Sequence, residues 1–113
     1  MSRLEDPEIL GQIIESLDNA ASGVGGYVTW KRIAWEWVSE NLNGESQKSM
    51  ACHLLAYVNA GGKIDQVAER RGFENPYHYD FRPRINNLDV YVESVLRVDR
   101  MGPQLYVVST HRV

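Results

Sequence analysis

One cysteine in 113 residues, Cys52, excludes an internal disulfide. It falls in an apolar helical pattern, which places it as a small buried core residue rather than a reactive thiol. No apolar run reaches the ~18 residues of a membrane span, so no membrane is expected. The N-terminus, Met1 to Pro7, lacks the apolar core of a signal peptide. A lone cysteine and no leader suit a soluble cytoplasmic protein. A basic excess is also missing, with 12 Lys and Arg against 15 Asp and Glu. Residues 1–61 carry four basic and eight acidic side chains, residues 62–113 eight and seven. That balance argues against binding nucleic acid by charge alone, and leaves room for an enzyme with a local arginine cluster. None of the helices is basic enough for a DNA-reading helix.

Motifs for several chemistries are absent too. Gly23-Val24-Gly25-Gly26 follows a helix and lacks the strand–loop–helix setting of a phosphate loop. There is no nucleophile elbow and no Cys–His signature. His53 has no second His or Cys at a metal-binding spacing, so neither a metal nor a cofactor is expected.

What is present is material for one domain over 1–113, with 43% hydrophobic residues to fill a core. Asp6 and Pro7 start a first helix, with a stripe at Ile9, Leu10, Ile13, Ile14 and Leu17. A second helix is expected from a Thr29 cap, with Val28 and Ile33 as a hydrophobic staple and Trp30, Ile33, Ala34, Trp37 and Val38 inward. Trp35 lies off that stripe, either packed under the first helix or exposed as a partner anchor, with Trp30 as a second candidate anchor. A third helix runs from about Ser46 to Ala60. Lys63 to Gly72 reads as a short capped helix, and Arg70-Arg71 as either a solvated helix end or a phosphate contact.

The last third reads as three strands. In Tyr77 to Ile85, Tyr77, Tyr79, Phe81, Pro83 and Ile85 share one face; His78, Asp80, Arg82 and Arg84 share the other. Asn86-Asn87 turns the chain into a second strand, about Asp89 to Asp99, with Tyr91, Glu93 and Arg97 on its polar face. A third strand, Gln104 to His111, places Leu105, Val107, Ser109 and His111 together. A two-residue loop puts Asp80 opposite Glu93. A four-residue loop puts Arg82 opposite Glu93 and Arg84 opposite Tyr91, and is preferred because it pairs opposite charges. The expected fold is therefore α+β: three N-terminal helices, with residues 1–72 helical, packed on a C-terminal three-stranded antiparallel twisted sheet over 77–113.

Metal-free RNA cleavage needs a base for the ribose 2′-OH, cations for the phosphate and an acid for the leaving 5′ oxygen. The polar face offers all three types: Tyr91, Glu93 and His78 as acid–base candidates, with Arg82, Arg84 and Arg97 for phosphate. An ordinary solvated face with an Arg82–Glu93 ion pair remains the other reading.

Tyr79-Asp80-Phe81-Arg82-Pro83-Arg84, then Val90-Tyr91-Val92, then Leu105-Tyr106-Val107-Val108-Ser109 resembles the C-terminal sheet of RelE-superfamily mRNA interferases, the motility quorum-sensing regulator type in particular. The resemblance covers roughly the last third of the chain. It implies helices on a twisted antiparallel sheet and a ribonuclease toxin whose partners are single-stranded RNA and a neutralising antitoxin. It implies phosphate binding by Arg82 and Arg84, a catalytic or base-stacking role for Tyr91, and Arg97 as a further cation. The alternative is a non-catalytic interaction or regulatory module, of phage or mobile-element type or an inactive toxin fold, binding another protein through the acidic helical half.

Overall fold

A computed structural model describes residues 2–69 and 76–113. In chain order the elements are β1 (Ser2–Arg3), α1 (Pro7–Ala21), β2 (Val28–Trp30), α2 (Arg32–Asn41), α3 (Gln47–Asn59), β3 (Ile64–Ala68), β4 (Tyr77–Phe81), β5 (Arg84–Ile85), β6 (Leu88–Asp99) and β7 (Gly102–Arg112). The fold is α+β with three helices, but the sheet corrects the sequence-based expectation. Among the described residues it has seven strands spread through the chain, in the order β1-β3-β4-β6-β7-β2, with β5 paired to β6. It is mixed, because β2 runs parallel to β7. The Arg70-Arg71 pair and the Glu74-Asn75 turn lie outside the described residues. Among the described residues no helix is long and apolar enough to cross a membrane.

Two helices start as their sequences dictate. The Asp6 carboxylate accepts from the Glu8 and Ile9 amides at 2.9 and 3.4 Å, and Pro7 takes the first helical position. Ser46 and Ser49 exchange side-chain and backbone bonds in a capping box ahead of α3. The α2 expectation fails at its start. Val28-Thr29-Trp30 is a strand, paired with Leu105, Tyr106 and Val107, and the helix begins only at Arg32. A partner strand near the C-terminus decides this, not local propensity. Ile33 consequently turns outward at 65% exposure, and Cys52 is exposed as well. Trp35 meets Trp30 edge-to-face at 5.1 Å, both partly buried against the core, so neither tryptophan stands free as an anchor.

The helix expected over Lys63 to Gly72 is replaced by β3, which joins β1 to β4. Its Ile64 buries against the core, and a place in the sheet satisfies backbone groups that a short helix would leave open at its ends. Gly62 makes the sharp entry possible: a Cβ there would lie 2.5 Å from the Tyr57 carbonyl oxygen.

All three helices cover one face of the sheet. The core between them includes Ile13, Leu17, Val38, Leu42, Met50 and Leu54 from the helices, with Phe81, Val92, Leu105 and Val107 from the strands. Two buried hydroxyls tie the layers. Ser16 Oγ donates to the Tyr27 carbonyl at 2.5 Å and accepts from the Leu105 amide at 3.1 Å. Thr110 Oγ1 donates to the Ala34 carbonyl at 2.6 Å. These satisfy groups whose burial alone costs about 1–3 kcal/mol.

The central hairpin takes the register that charge pairing disfavours. Asn86 and Asn87 both have positive φ, 51° and 65°, as a two-residue type I′ turn requires. Ile85 then pairs with Leu88, Phe81 with Val92, and Asp80 with Glu93. Here Pro83 falls in the gap between β4 and β5, and its carbonyl accepts from the Val90 amide at 2.9 Å. The two-residue turn that Asn86 and Asn87 make at positive φ outweighs a like-charge pair worth at most about 1 kcal/mol.

The β6–β7 register contains a bulge. Glu93 pairs with Ser109 but Ser94 with Val107, leaving Val108 as the extra residue. Leu105 and Val107 face the helices; beyond the bulge Thr110 does so, and Ser109 and His111 cross to the opposite face. The expectation of one face for Leu105, Val107, Ser109 and His111 is corrected accordingly.

Phe81 is fully buried, so Phe81→Ala should cost about 3–5 kcal/mol in urea unfolding. Asn87→Val, β-branched at positive φ, should cost about 1–2 kcal/mol or more by the same measurement.

Candidate functional site

The sheet face turned away from the helices carries the candidate site. Three carboxylates stand side by side across it: Asp65 on β3 opposes Asp80 on β4, which opposes Glu93 on β6. Asp65 and Asp80 are almost fully buried although no helix covers them. Their neighbours' side chains do so, and those side chains include most of the predicted site residues.

Asp80 is the centre. Its Oδ2 accepts the Tyr91 hydroxyl, and its Oδ1 lies 3.1 Å from His78 Nδ1. The same His78 nitrogen lies 3.3 Å from Glu93 Oε1. One imidazole thus bridges two carboxylates that sit directly opposite each other. His78 reaches both because residues two apart on β4 share a face. Tyr91 in turn stacks on His111 at 4.6 Å and carries the Arg82 guanidinium over its ring at 5.1 Å. Arg82 Nη1 donates to Asp65 Oδ2, and Lys63 Nζ lies 3.3 Å from Asp65 Oδ1.

The predicted residues divide into two groups. His78, Arg82, Tyr91 and Glu93 converge around Asp80. Arg84 does not join them; it sits exposed on the hairpin, 3.0 Å from Asp89. Arg97 lies further along β6, over the Tyr106 ring at 5.7 Å. The expected Arg82–Glu93 pair is replaced by Arg82–Asp65. Three contributors stand outside the predicted set: Asp80 as anchor, Asp65 as the arginine's partner, and His111. The alternation of β4 already puts Asp80 beside His78. A helical reading of its segment hides Asp65, and the bulge hides His111, with the doubled Val107-Val108 as its only trace.

Electrostatics assign the roles. Burial, and then the hydrogen bond to Asp80, push the Tyr91 phenol far above the usual tyrosine range. The Tyr91 hydroxyl donates to Asp80 and its ring stacks on His111. Burial also raises the Glu93 carboxyl; the His78 charge opposes this and Asp80 adds to it. A carboxylate raised in this way is poised for proton transfer nearer neutrality. Burial pulls Asp65 up as well, but the hydrogen bond from Arg82 and the nearby Lys63 charge outweigh it and hold that carboxyl low. The bond to Asp65 raises Arg82 further. The donor atoms of His78, Asp80 and Glu93 all lie within 4.8 Å of one another, so the same trio is also able to hold a metal ion.

Compared with protein-family models, curated proteins and solved structures, the chain matches none of them. The RelE-like resemblance therefore rests on its short strand motifs, and the mixed sheet is not the antiparallel one it implied.

Arg82→Met removes the main partner of a buried carboxylate and should cost about 1–3 kcal/mol at pH 7 in urea unfolding. The stability that Asp65 contributes through its lowered folded pKa is present above the ordinary carboxylate value of about 3.9 and is lost as pH falls through the folded value. The gap between wild type and Arg82→Met should therefore narrow at pH 3.

Proposed function

We propose that the helix-free face is an acid–base site that cleaves single-stranded RNA. The observation that carries this reading is the convergence of Glu93, His78, Tyr91, His111 and one arginine on a single rigid strand platform. In this reading Glu93 takes the proton from the ribose 2′-OH, which attacks the adjacent phosphorus. His111 returns a proton to the departing 5′ oxygen. Arg82, held in place by Asp65 and by the Tyr91 ring, offers its guanidinium to the phosphate oxygens. His78 holds Glu93 in orientation through the bridge to Asp80. Tyr91 stacks a base or positions His111. The chemistry so assigned runs through side chains alone and needs no metal. The biological role that fits is an mRNA-cleaving toxin acting in the cytoplasm, with a protein antitoxin as partner.

A second reading has its own support. Arg82 and Arg84 are each tied to a carboxylate of the chain itself, which leaves little cationic charge to hold phosphate. With Ile33 exposed on α2, this favours a non-catalytic module that binds another protein through the helical layer.

The two are separated by incubating the purified chain with end-labelled single-stranded RNA in EDTA. The catalytic reading expects cleavage of RNA but not of the same sequence as DNA, which lacks the 2′-OH. It expects Glu93→Gln and His111→Gln to lose about 10²–10⁴-fold in rate. Equal trace activity in wild type and both variants selects the binding module instead.

A further inference from the structure

Asp80 and Glu93 face each other directly across β4 and β6. Among the described residues, Arg82 and Lys63 both engage Asp65, and no Lys or Arg forms an ion pair with Asp80 or Glu93. Their partners are the Tyr91 hydroxyl and the single imidazole of His78. A second charged row member, Asp65, opposes Asp80 from the other side. Burying a carboxylate in such company is costly unless a cation compensates it.

The geometry of the bridge fits a particular kind of cation. His78 Nδ1 points at Asp80 Oδ1 and Glu93 Oε1 at 3.1 and 3.3 Å. With bonds of about 2.0–2.2 Å, neighbouring ligand atoms around a zinc-like ion stand about 3.0–3.5 Å apart. Two of the three ligand separations are therefore already those of an occupied site. The third pair lies within 4.8 Å and closes by rotating the half-buried Glu93 carboxylate. Two of the three donors are carried by one strand, two residues apart, and the third by its hydrogen-bonded neighbour, so the backbone fixes their spacing. Tyr91 steadies the far oxygen of Asp80, the kind of outer support that orients a ligating carboxylate.

We propose that His78 Nδ1, Asp80 Oδ1 and Glu93 Oε1 form a divalent-metal site for a borderline ion of the Zn²⁺ or Mn²⁺ class. One nitrogen with two carboxylates suits these ions better than Mg²⁺ or Ca²⁺, which prefer oxygen alone. Binding forms one nitrogen–metal and two oxygen–metal bonds on a neutral imidazole: the Nδ1 proton of a neutral ring is replaced by one on Nε2, and an imidazolium releases one proton to solvent. Three protein ligands leave at least one coordination position open to water or an anion, as in sites that do chemistry. The inference is separate from the RNA reading: an ion on Glu93 Oε1 and His78 Nδ1 takes up the base of that reading, which therefore belongs to the metal-free chain, and binding is measured without RNA.

The test is calorimetric titration of the full chain, stripped with EDTA and dialysed, with ZnCl₂, MnCl₂ and MgCl₂. The expected result is saturable binding of one Zn²⁺ or Mn²⁺ per chain, with Mg²⁺ weaker by about tenfold or more. His78→Gln and Glu93→Gln should each weaken Zn²⁺ binding by about tenfold or more, while His53→Gln, on the separate Glu45–His53 pair, leaves it unchanged. Circular dichroism of each variant checks that it folds. If a variant unfolds, Co²⁺ absorption of the wild type decides: nitrogen–oxygen d–d bands support the site, and bands of hexa-aqua Co²⁺ alone overturn it. The proposal is also overturned by no saturable binding, by unchanged affinity in folded His78→Gln and Glu93→Gln, or by loss of binding in His53→Gln.

Discussion

The buried charge of Asp80 is the constraint on which the site depends. A carboxylate on the open face of a sheet normally reaches water. This one is flanked on both sides by carboxylates and closed over by side chains. Its two oxygens must be satisfied locally, and the Tyr91 hydroxyl and His78 Nδ1 do that. Each of those groups then fixes another: Tyr91 carries Arg82 and His111, and His78 holds Glu93. Deleting a member without replacing its hydrogen bond leaves a buried group unpaired.

The apolar side of the same strands sets this arrangement. Phe81 against Val92 and Ile64 against Phe81 lock the register of β3, β4 and β6, and a slip of one residue would turn the carboxylates into the core. The Asn86-Asn87 turn and the break at Pro83 hold the hairpin to that register. The Val108 bulge then delivers His111 and Ser109 to the polar face while Thr110 anchors α2. Core packing and backbone pairing therefore decide which charges meet, and the charges adapt by recruiting a histidine.

The legible stretches of the chain are those with long, self-contained patterns. The Asp6-Pro7 start, the α3 capping box, and the alternation of Tyr77 to Ile85 and of β6 are written locally. So is the company of His78, Tyr91 and Glu93 on one face. What distant segments decide is not legible in this way. The strands at 2–3, 28–30 and 64–68 have two to five residues each, too short for a periodicity, and exist because β3, β4 and β7 offer them partners. Asp65 is hidden with its strand, and His111 with the bulge. The hairpin register is misjudged when opposite charges are given more weight than the tight turn that two asparagines make at positive φ.

The histidine bridge can be read directly from the side-chain nitrogens. With both neighbouring atoms being carboxylate oxygens, Nδ1 of His78 must carry a hydrogen, although free imidazole prefers its proton on Nε2. Long-range ¹H–¹⁵N correlation spectra of the ¹⁵N-labelled protein distinguish the forms, with His78→Gln giving the assignment. A protonated Nδ1 in the metal-free protein is the predicted result. A neutral His78 with a bare Nδ1 and its proton on Nε2 would contradict it, because the bridge between Asp80 and Glu93 would then not exist.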